Sequence, residues 1–115
     1  DQVHIPAGGA ASLEAQEILG SDVKVVSAFQ NISAAHLQDP ERDIDCDVLV
    51  CGNDASACEE VITLVEAAGM SGIHAGLLVN AIAIESLTPV LISLNKLYKI
   101  RDAGIRVTGI TRLEK

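Results

Sequence analysis

A short polar run, Gln30-Asn31-Ile32-Ser33, follows an apolar segment and is the first stretch whose residue types could bind a ligand. The side-chain amides of Gln30 and Asn31 offer hydrogen-bond donors and acceptors, which suit a planar ligand carrying carbonyl and ring N–H groups. Ile32 adds an apolar surface that can press against a ring. Asn and Ser also favour turns, so a purely structural turn explains the same residues as well.

Three other features could take part in chemistry, and each has a plainer explanation. Glu85, in an apolar segment, could be a general base if buried, or it could pair with a basic residue or cap a neighbouring element. Gly8 and Gly9 precede a predicted helix and could hold phosphate, but they lack the glycine spacing of a dinucleotide site and favour a plain loop. The acidic residues of segment 39–47 lack the calcium-loop pattern and favour solvated charges.

No Ser/His/Asp or Cys/His arrangement is visible, and we predict no catalytic side chain and no metal site. This fits hydride transfer between two bound carriers, in which cofactors supply the chemistry while the protein orients them. The three cysteines match no zinc or redox spacing, which favours idle thiols in a reducing cytoplasm.

Length and charge restrict the classes of protein and partner. We expect residues 1–115 to form a single domain with an aliphatic core, because 49% of residues are hydrophobic while only one Phe and one Tyr occur. The net charge of −8 argues against nucleic acid and anionic membranes as partners. The apolar run 76–84 ends at Glu85, too early for a membrane span.

Apolar periodicity predicts alternating helices and strands. We expect helices at 10–19, 55–68 and 77–100, and strands at 23–29, 47–52, 71–75 and 105–110. This order predicts an α/β fold with a Rossmann-like, largely parallel or mixed sheet flanked by helices. The polar run would then lie at the carboxyl end of a strand, where open α/β sheets bind ligands. The helix from Leu77 to Ile100 is apolar on nearly all sides, which indicates a partner surface, and Pro89 is expected to kink it.

Four segments, taken in order, resemble the carboxy-terminal half of the F420-dependent NADP oxidoreductases. They are KVVSAFQNISAAHLQD, DVLVCGNDASACEEV, HAGLLVNAIAIESLTPVLISLNKLYKI and AGIRVTGI. The resemblance implies a cytoplasmic homodimer, formed through the helix at 77–100. It implies hydride transfer between NADP(H) and the 8-hydroxy-5-deazaflavin ring of coenzyme F420. The glycine fingerprint for NADP is absent, so that site is expected mostly outside this chain, in a nucleotide-binding half.

The resemblance also implies which residues contact the deazaflavin ring. They are Gln30, Asn31, Ile32, Ser33, Ala34 and Ala103. Gln30 and Ser33 replace a histidine and a proline of the family's His-Thr-Ile-Pro-Ala segment. These changes leave open a related reductase with a flavin or ferric acceptor, and the missing half leaves open a non-catalytic dimerisation or binding module.

Overall fold

The computed structural model describes residues 2–32 and 46–110. Within them the elements are α1 (Ala11–Leu19), β1 (Val26–Ser27), β2 (Asp47–Gly52), α2 (Ala55–Ala67), β3 (Ser71–His74), a 3₁₀ turn (Leu78–Asn80), α3 (Ala81–Glu85) and α4 (Leu87–Tyr98). The prediction of an α/β fold with a mixed sheet flanked by helices is confirmed.

The sheet has the strand order β1-β2-β3, with one parallel and one antiparallel pair. β2 and β3 are parallel, with Val50 opposite His74. β1 is antiparallel to β2, with Ser27 opposite Cys51. The chain leaving β1 therefore runs toward the amino end of β2. Gln30 follows the carboxyl end of β1, as expected, but this position is not the common carboxyl edge of a parallel sheet. An apolar run encodes burial but not strand direction, so the sequence left this orientation undetermined.

β2 is buried on both faces and separates two core clusters. Val48 and Val50 face α2, where they pack with Cys58, Val65 and Met70. Cys51 faces the other way, into a cluster with Ala10, Leu78, Ala81 and Ile84. Successive strand residues point to opposite faces, so an almost uninterrupted apolar strand serves both clusters.

Two predicted strands are shorter or absent. The predicted strand 23–29 contributes only Val26–Ser27. On its carboxyl side, Phe29 has φ +64° and ends the extended conformation. Residues 105–110 form no strand, so that prediction is wrong. They lie beside the start of β2 instead: the Asp47 N–H donates to the Ile105 carbonyl at 2.8 Å, and the Asp47 carboxylate accepts from the Val107 N–H at 2.6 Å.

The predicted helix at 77–100 is divided into the 3₁₀ turn, α3 and α4, and the break lies at Ser86. Pro89 lacks an N–H, and its ring clashes with the carbonyl four residues earlier, which belongs to Glu85 at the end of α3. Among the described residues, Leu78–Tyr98 is the one helical stretch long and apolar enough to cross a membrane by length and composition. The Glu85 carboxylate within it binds the start of α1, which ties the stretch to the rest of the protein.

Candidate functional site

A cavity of about 380 Å³ lies between the loop after β1 and helix α4. Among the described residues, its lining is Gln30, Asn31, Ile32, Thr88, Leu91, Ile92, Asn95 and Ala103. The structure therefore brings together four of the six predicted ring contacts, which are separated by up to 73 positions in the sequence. The other two, Ser33 and Ala34, lie outside the described residues. The volume is typical of a small-molecule site.

A strained turn shapes one wall of this cavity. Phe29 adopts φ +64°, a left-handed conformation that costs a bulky residue about 1–3 kcal/mol. Its side chain packs against the core cluster between β2 and α2, and the Ile32 N–H closes the turn on the Phe29 carbonyl at 3.2 Å. Partial burial of the aromatic ring opposes the backbone strain. The turn brings the Gln30 carbonyl to α4, where Thr88 binds it.

Asn31 holds the loop to β2. Its Nδ2 donates to the Asp47 carbonyl at 2.6 Å, and its Oδ1 accepts from the Leu49 N–H at 3.4 Å. The side chain is only 2% exposed. Its polar groups therefore serve the backbone of β2, a structural role that differs from the turn formation considered from the sequence. A contact between Asn31 and a ligand stays a prediction.

Gln30 is held through its main chain, so its side chain is left exposed. Thr88 Oγ1 donates to the Gln30 carbonyl at 2.7 Å and joins the loop to α4 across 58 positions of sequence. The Gln30 amide is therefore placed at the cavity without a structural task of its own. Thr88 was missed from the sequence, where it reads only as a residue near the start of a helix.

Asn95 organises the opposite wall. Its Oδ1 accepts from the Ala103 N–H at 2.8 Å, and its carbonyl accepts from the Ile100 N–H at 3.1 Å. The second bond, together with the left-handed Lys99 at φ +53°, forms a Schellman-type end to α4. Ala103 thereby reaches the cavity. The helical spacing of residues 88, 91, 92 and 95 is the signal that could have found this wall.

The lining combines an apolar surface with a few neutral polar groups. Ile32, Leu91, Ile92 and Ala103 supply the apolar part. None of the eight lining residues is ionisable, so these side chains can bind and orient a ligand but cannot exchange protons with it. This composition suits chemistry that a bound cofactor carries out.

Glu85 is a cap on α1, as one of the alternatives for it anticipated. Its Oε1 accepts from the Ala11 N–H at 3.0 Å, and its Oε2 accepts from the Ser12 N–H at 3.2 Å and the Ser12 hydroxyl at 2.6 Å. Glu85 does not line the cavity, so the structure does not support a role as general base there. Its carboxylate also occupies the amides that a phosphate near Gly8 and Gly9 would need, which favours the plain-loop alternative.

A second cavity, of about 310 Å³, lies beyond the carboxyl end of β2. Four of its polar side chains, Gln16, Lys24, Asn53 and Asp54, already have partners within the chain. Gln16 Nε2 donates to the carbonyls of Gly20 and Val23 at 2.8 and 2.7 Å. Asp54 caps α2 by accepting from the Ala57 N–H at 2.8 Å, and it pairs with Lys24 at 3.7 Å. These bonds give the second cavity a structural explanation.

The cysteines are free and buried. Burial is the main cause that raises the pKa of the Cys51 and Cys58 thiols above the usual 9.0, which keeps them protonated and unreactive near neutral pH. No group of three His, Cys, Asp or Glu side chains able to hold a metal occurs among the described residues. Most of the acidic segment 39–47 lies outside them.

Comparison with known proteins identifies relatives that this chain matches over slightly less than half of their own length. An F420-dependent NADP reductase from Methanocaldococcus jannaschii is 43% identical over 106 residues, covering 91% of this chain and 47% of that protein. One from Methanothermobacter thermautotrophicus is 39% identical over 108 residues, covering 93% and 47%. The names of these relatives imply F420 and NADP(H) as the cofactors of those proteins. No protein-family profile matches the chain.

A solved structure agrees with these relatives. The crystal structure of a putative F420-dependent NADP reductase from Arthrobacter has a TM-score of 0.74 and 30% identity, covering 84% of this chain and 45% of that chain. The resemblance to F420-dependent NADP reductases is therefore confirmed. The chain spans about half the length of the curated relatives it matches.

Proposed function

We propose that this chain is the deazaflavin-binding, carboxy-terminal half of an F420-dependent NADP oxidoreductase, and that the 380 Å³ cavity holds the ring. One observation carries the proposal. Ala103 lines the same cavity as Gln30, Asn31 and Ile32, the other described residues that the family resemblance assigns to the ring, although it lies 71 positions from the nearest of them in sequence. The similarity to F420-dependent NADP reductases, the family from which these assignments come, supports the identity of the ligand.

The lining residues fit a planar ring with polar edges. Ile32, Leu91 and Ile92 offer apolar surface to the faces of the ring, and Gln30 offers an amide to its edge. When bound, a deazaflavin supplies a carbon centre that gives or takes a hydride. The side chains around it need only hold the ring in position and exclude water, which agrees with the described lining residues, none of which is ionisable.

The proposed reaction requires a second half for NADP(H). The 115 residues contain no GxGxxG sequence, the pattern by which a strand–helix turn binds a dinucleotide phosphate. We therefore place the NADP(H) site in a nucleotide-binding half outside these residues, with the complete enzyme acting in the cytoplasm. The isolated chain is expected to bind the deazaflavin but to show no turnover.

The proposal includes a homodimer formed through the helical region at 77–100. Ile84 and Leu91 of this region are buried inside the protomer, at 5% and 7% exposure. In contrast, Val90 and Leu97 are 42% and 75% exposed, and their spacing of seven residues places them on one face of α4. Such a face is stabilised when a second copy covers it.

Small-angle scattering measures whether this face forms the dimer. We expect the mass of two chains for the wild type and of one chain for Leu97→Asp. Leu64→Asp is the matched control, because Leu64 is 65% exposed on a different helix, α2. A dimer that survives Leu97→Asp, or a monomeric wild type, would contradict the proposed interface.

A fluorescence titration with coenzyme F420 tests the binding site. We expect saturable binding to the chain and at least tenfold weaker binding to Ile32→Asp, since a carboxylate facing the ring removes apolar contact and must be desolvated. Ile18→Asp is the control, because Ile18 is 84% exposed on α1. Ile32 also contacts the core, so Ile92→Asp, at a 40% exposed lining position, repeats the test if Ile32→Asp unfolds.

The same titration separates the alternatives. Preference for FMN over F420, in competition, would favour a related reductase with a flavin acceptor. A stable dimer that binds neither ring would favour a non-catalytic dimerisation module. Turnover with F420 and NADPH by the 115-residue chain would contradict the placement of the NADP(H) site outside it.

A further inference from the structure

Helix α4 presents two polar side chains to the cavity with apolar side chains between them. Thr88 and Asn95 are seven residues apart, so they lie on one face of the helix, separated by about 10 Å along its axis. Leu91 and Ile92 occupy the surface between them. This wall therefore matches an elongated, flat ligand that is apolar in its middle and polar at its ends.

The orientation of the Asn95 amide is fixed by the chain itself. The Ala103 N–H is a donor, so the Asn95 atom 2.8 Å away must be the oxygen, Oδ1. The two N–H groups of Nδ2 have no partner among the described residues. Nδ2 is also accessible from outside. Within the part of the chain that the structure describes, Ser27 Oγ is the one fully buried side-chain polar atom without a partner, so Asn95 Nδ2, which has none, is not fully buried.

The side chains of Asn31 and Thr88, also in the lining, form hydrogen bonds to the backbone through their donor groups. The Asn31 amide binds the backbone of β2 on both sides. The Thr88 hydroxyl gives its proton to the Gln30 carbonyl, so that only its lone pairs remain for a ligand. Among the described lining residues, Asn95 and Gln30 are therefore the two whose side-chain amide nitrogen makes no hydrogen bond within the described part of the chain.

We propose that Asn95 orients the ligand by donating a hydrogen bond from Nδ2 to an acceptor oxygen at the edge of the bound ring. The inference rests on the proposed function and assigns a specificity-determining residue to its site. A ring without an oxygen at this edge would bury the Asn95 N–H groups unpaired, which disfavours it. Asn95 thus selects for rings that carry a carbonyl or hydroxyl oxygen.

Asn95→Asp tests this role while keeping the architecture. Aspartate retains an oxygen for the Ala103 N–H but replaces the donor with a second oxygen, which repels an oxygen on the ring. We expect the Kd for F420 to rise about tenfold or more. We expect circular dichroism of the ligand-free chain to be unchanged. The matched control is Asn53→Asp, because Asn53 Oδ1 likewise accepts a backbone N–H, that of Leu78, outside this cavity.

Failure of this inference is distinguishable from failure of the proposed function. If the wild type binds no F420, the proposed function fails. If it binds and Asn95→Asp binds equally well, only the role of Asn95 is overturned. Titration with FMN, which keeps the ring carbonyls but has a methyl group in place of the 8-hydroxyl, locates the acceptor. If Asn95→Asp binds both F420 and FMN more weakly than the wild type does, the acceptor is a ring carbonyl. If it binds only F420 more weakly, the acceptor is the 8-oxygen.

A second measurement keeps the test valid if Asn95→Asp does not fold. In ¹H–¹⁵N spectra of the wild type, each asparagine side chain gives its own pair of N–H signals. Saturation with F420 should shift the Asn95 pair and leave the Asn53 pair in place. An unshifted Asn95 pair at saturation would overturn the proposal.

Discussion

Removal of the Glu85 carboxylate should destabilise the fold, because this side chain caps a helix that lies far from it in sequence. In Glu85→Ala the hydrogen bonds to Ala11 and Ser12 are all lost. Loss of an N-cap costs about 0.5–2 kcal/mol, and loss of a negative charge at a helix N-terminus a further ~0.3–1 kcal/mol. The Ala11 N–H is exposed, so water replaces part of this loss. We expect a decrease of about 2 kcal/mol in the free energy of unfolding.

Urea denaturation followed by circular dichroism measures this decrease. The midpoint should fall with an unchanged m-value, since the area exposed on unfolding is the same. Glu85→Gln keeps one acceptor oxygen without the charge and should lose about 1 kcal/mol. Glu60→Ala, at an exposed position on α2, is the control and should stay within about 0.5 kcal/mol of the wild type.

Ser12→Ala, alone and combined with Glu85→Ala, isolates the shortest contact of the cap. The Ser12 hydroxyl lies 2.6 Å from Glu85 Oε2, so a double-mutant cycle should give a coupling energy of about 1 kcal/mol. The reasoning would be refuted if Glu85→Ala unfolded at the same urea concentration as Glu60→Ala. It would also be refuted if Glu85→Gln weakened F420 binding while it left stability unchanged, since that pattern belongs to a residue of the site.

Two further predictions concern backbone strain and pH. Lys99 has φ +53° at the end of α4, so Lys99→Gly should raise the free energy of unfolding by about 0.5–1 kcal/mol. Lys96→Gly, inside the same helix, should lower it by about 1 kcal/mol. Thermal denaturation should therefore show a higher melting temperature for Lys99→Gly and a lower one for Lys96→Gly, and a lower one for both would contradict the strain at Lys99. Burial raises the folded-state pKa of the Cys51 and Cys58 thiols above 9.0, so below pH 9.0 both states keep these protons, and stability falls as the pH rises from there through the folded pKa values. Each thiol that ionises only in the unfolded chain lowers the free energy of unfolding by about 1.4 kcal/mol per pH unit. Equal slopes of the free energy of unfolding against pH, above pH 9, for the wild type and the Cys51→Ala/Cys58→Ala variant would contradict this.

The elements that the sequence predicted well are those whose signal is local. α1, β2 and α2 agree with their predicted ranges to within a residue or two, because Gly20 ends the first helix, uninterrupted apolar residues form the second strand and Asp54 caps the helix after it. The split of the long helix agrees with the expected effect of Pro89. The steric clash of the proline ring is local too, although it acts four residues earlier, at Glu85.

The candidate site required contacts that no local pattern contains. Gln30 was proposed from its residue type and Ala103 only through family resemblance. Thr88 and Asn95, which hold them in place, read as ordinary helix residues. Their partners are backbone groups, and any residue could carry those groups. A hydrogen bond to a backbone leaves no mark on the sequence of its partner, so only the structure could reveal it.

The sequence by itself determined an α/β chain with an aliphatic core, a short polar loop after an apolar strand and a half-length resemblance to F420-dependent NADP reductases. Only the tertiary structure decided that β1 runs antiparallel to β2, that the loop faces α4 across a cavity, and that Glu85 caps α1. The physical reason is common to all three. Apolar periodicity records which side chains are buried, whereas direction and pairing depend on which distant backbone groups meet once those side chains have packed.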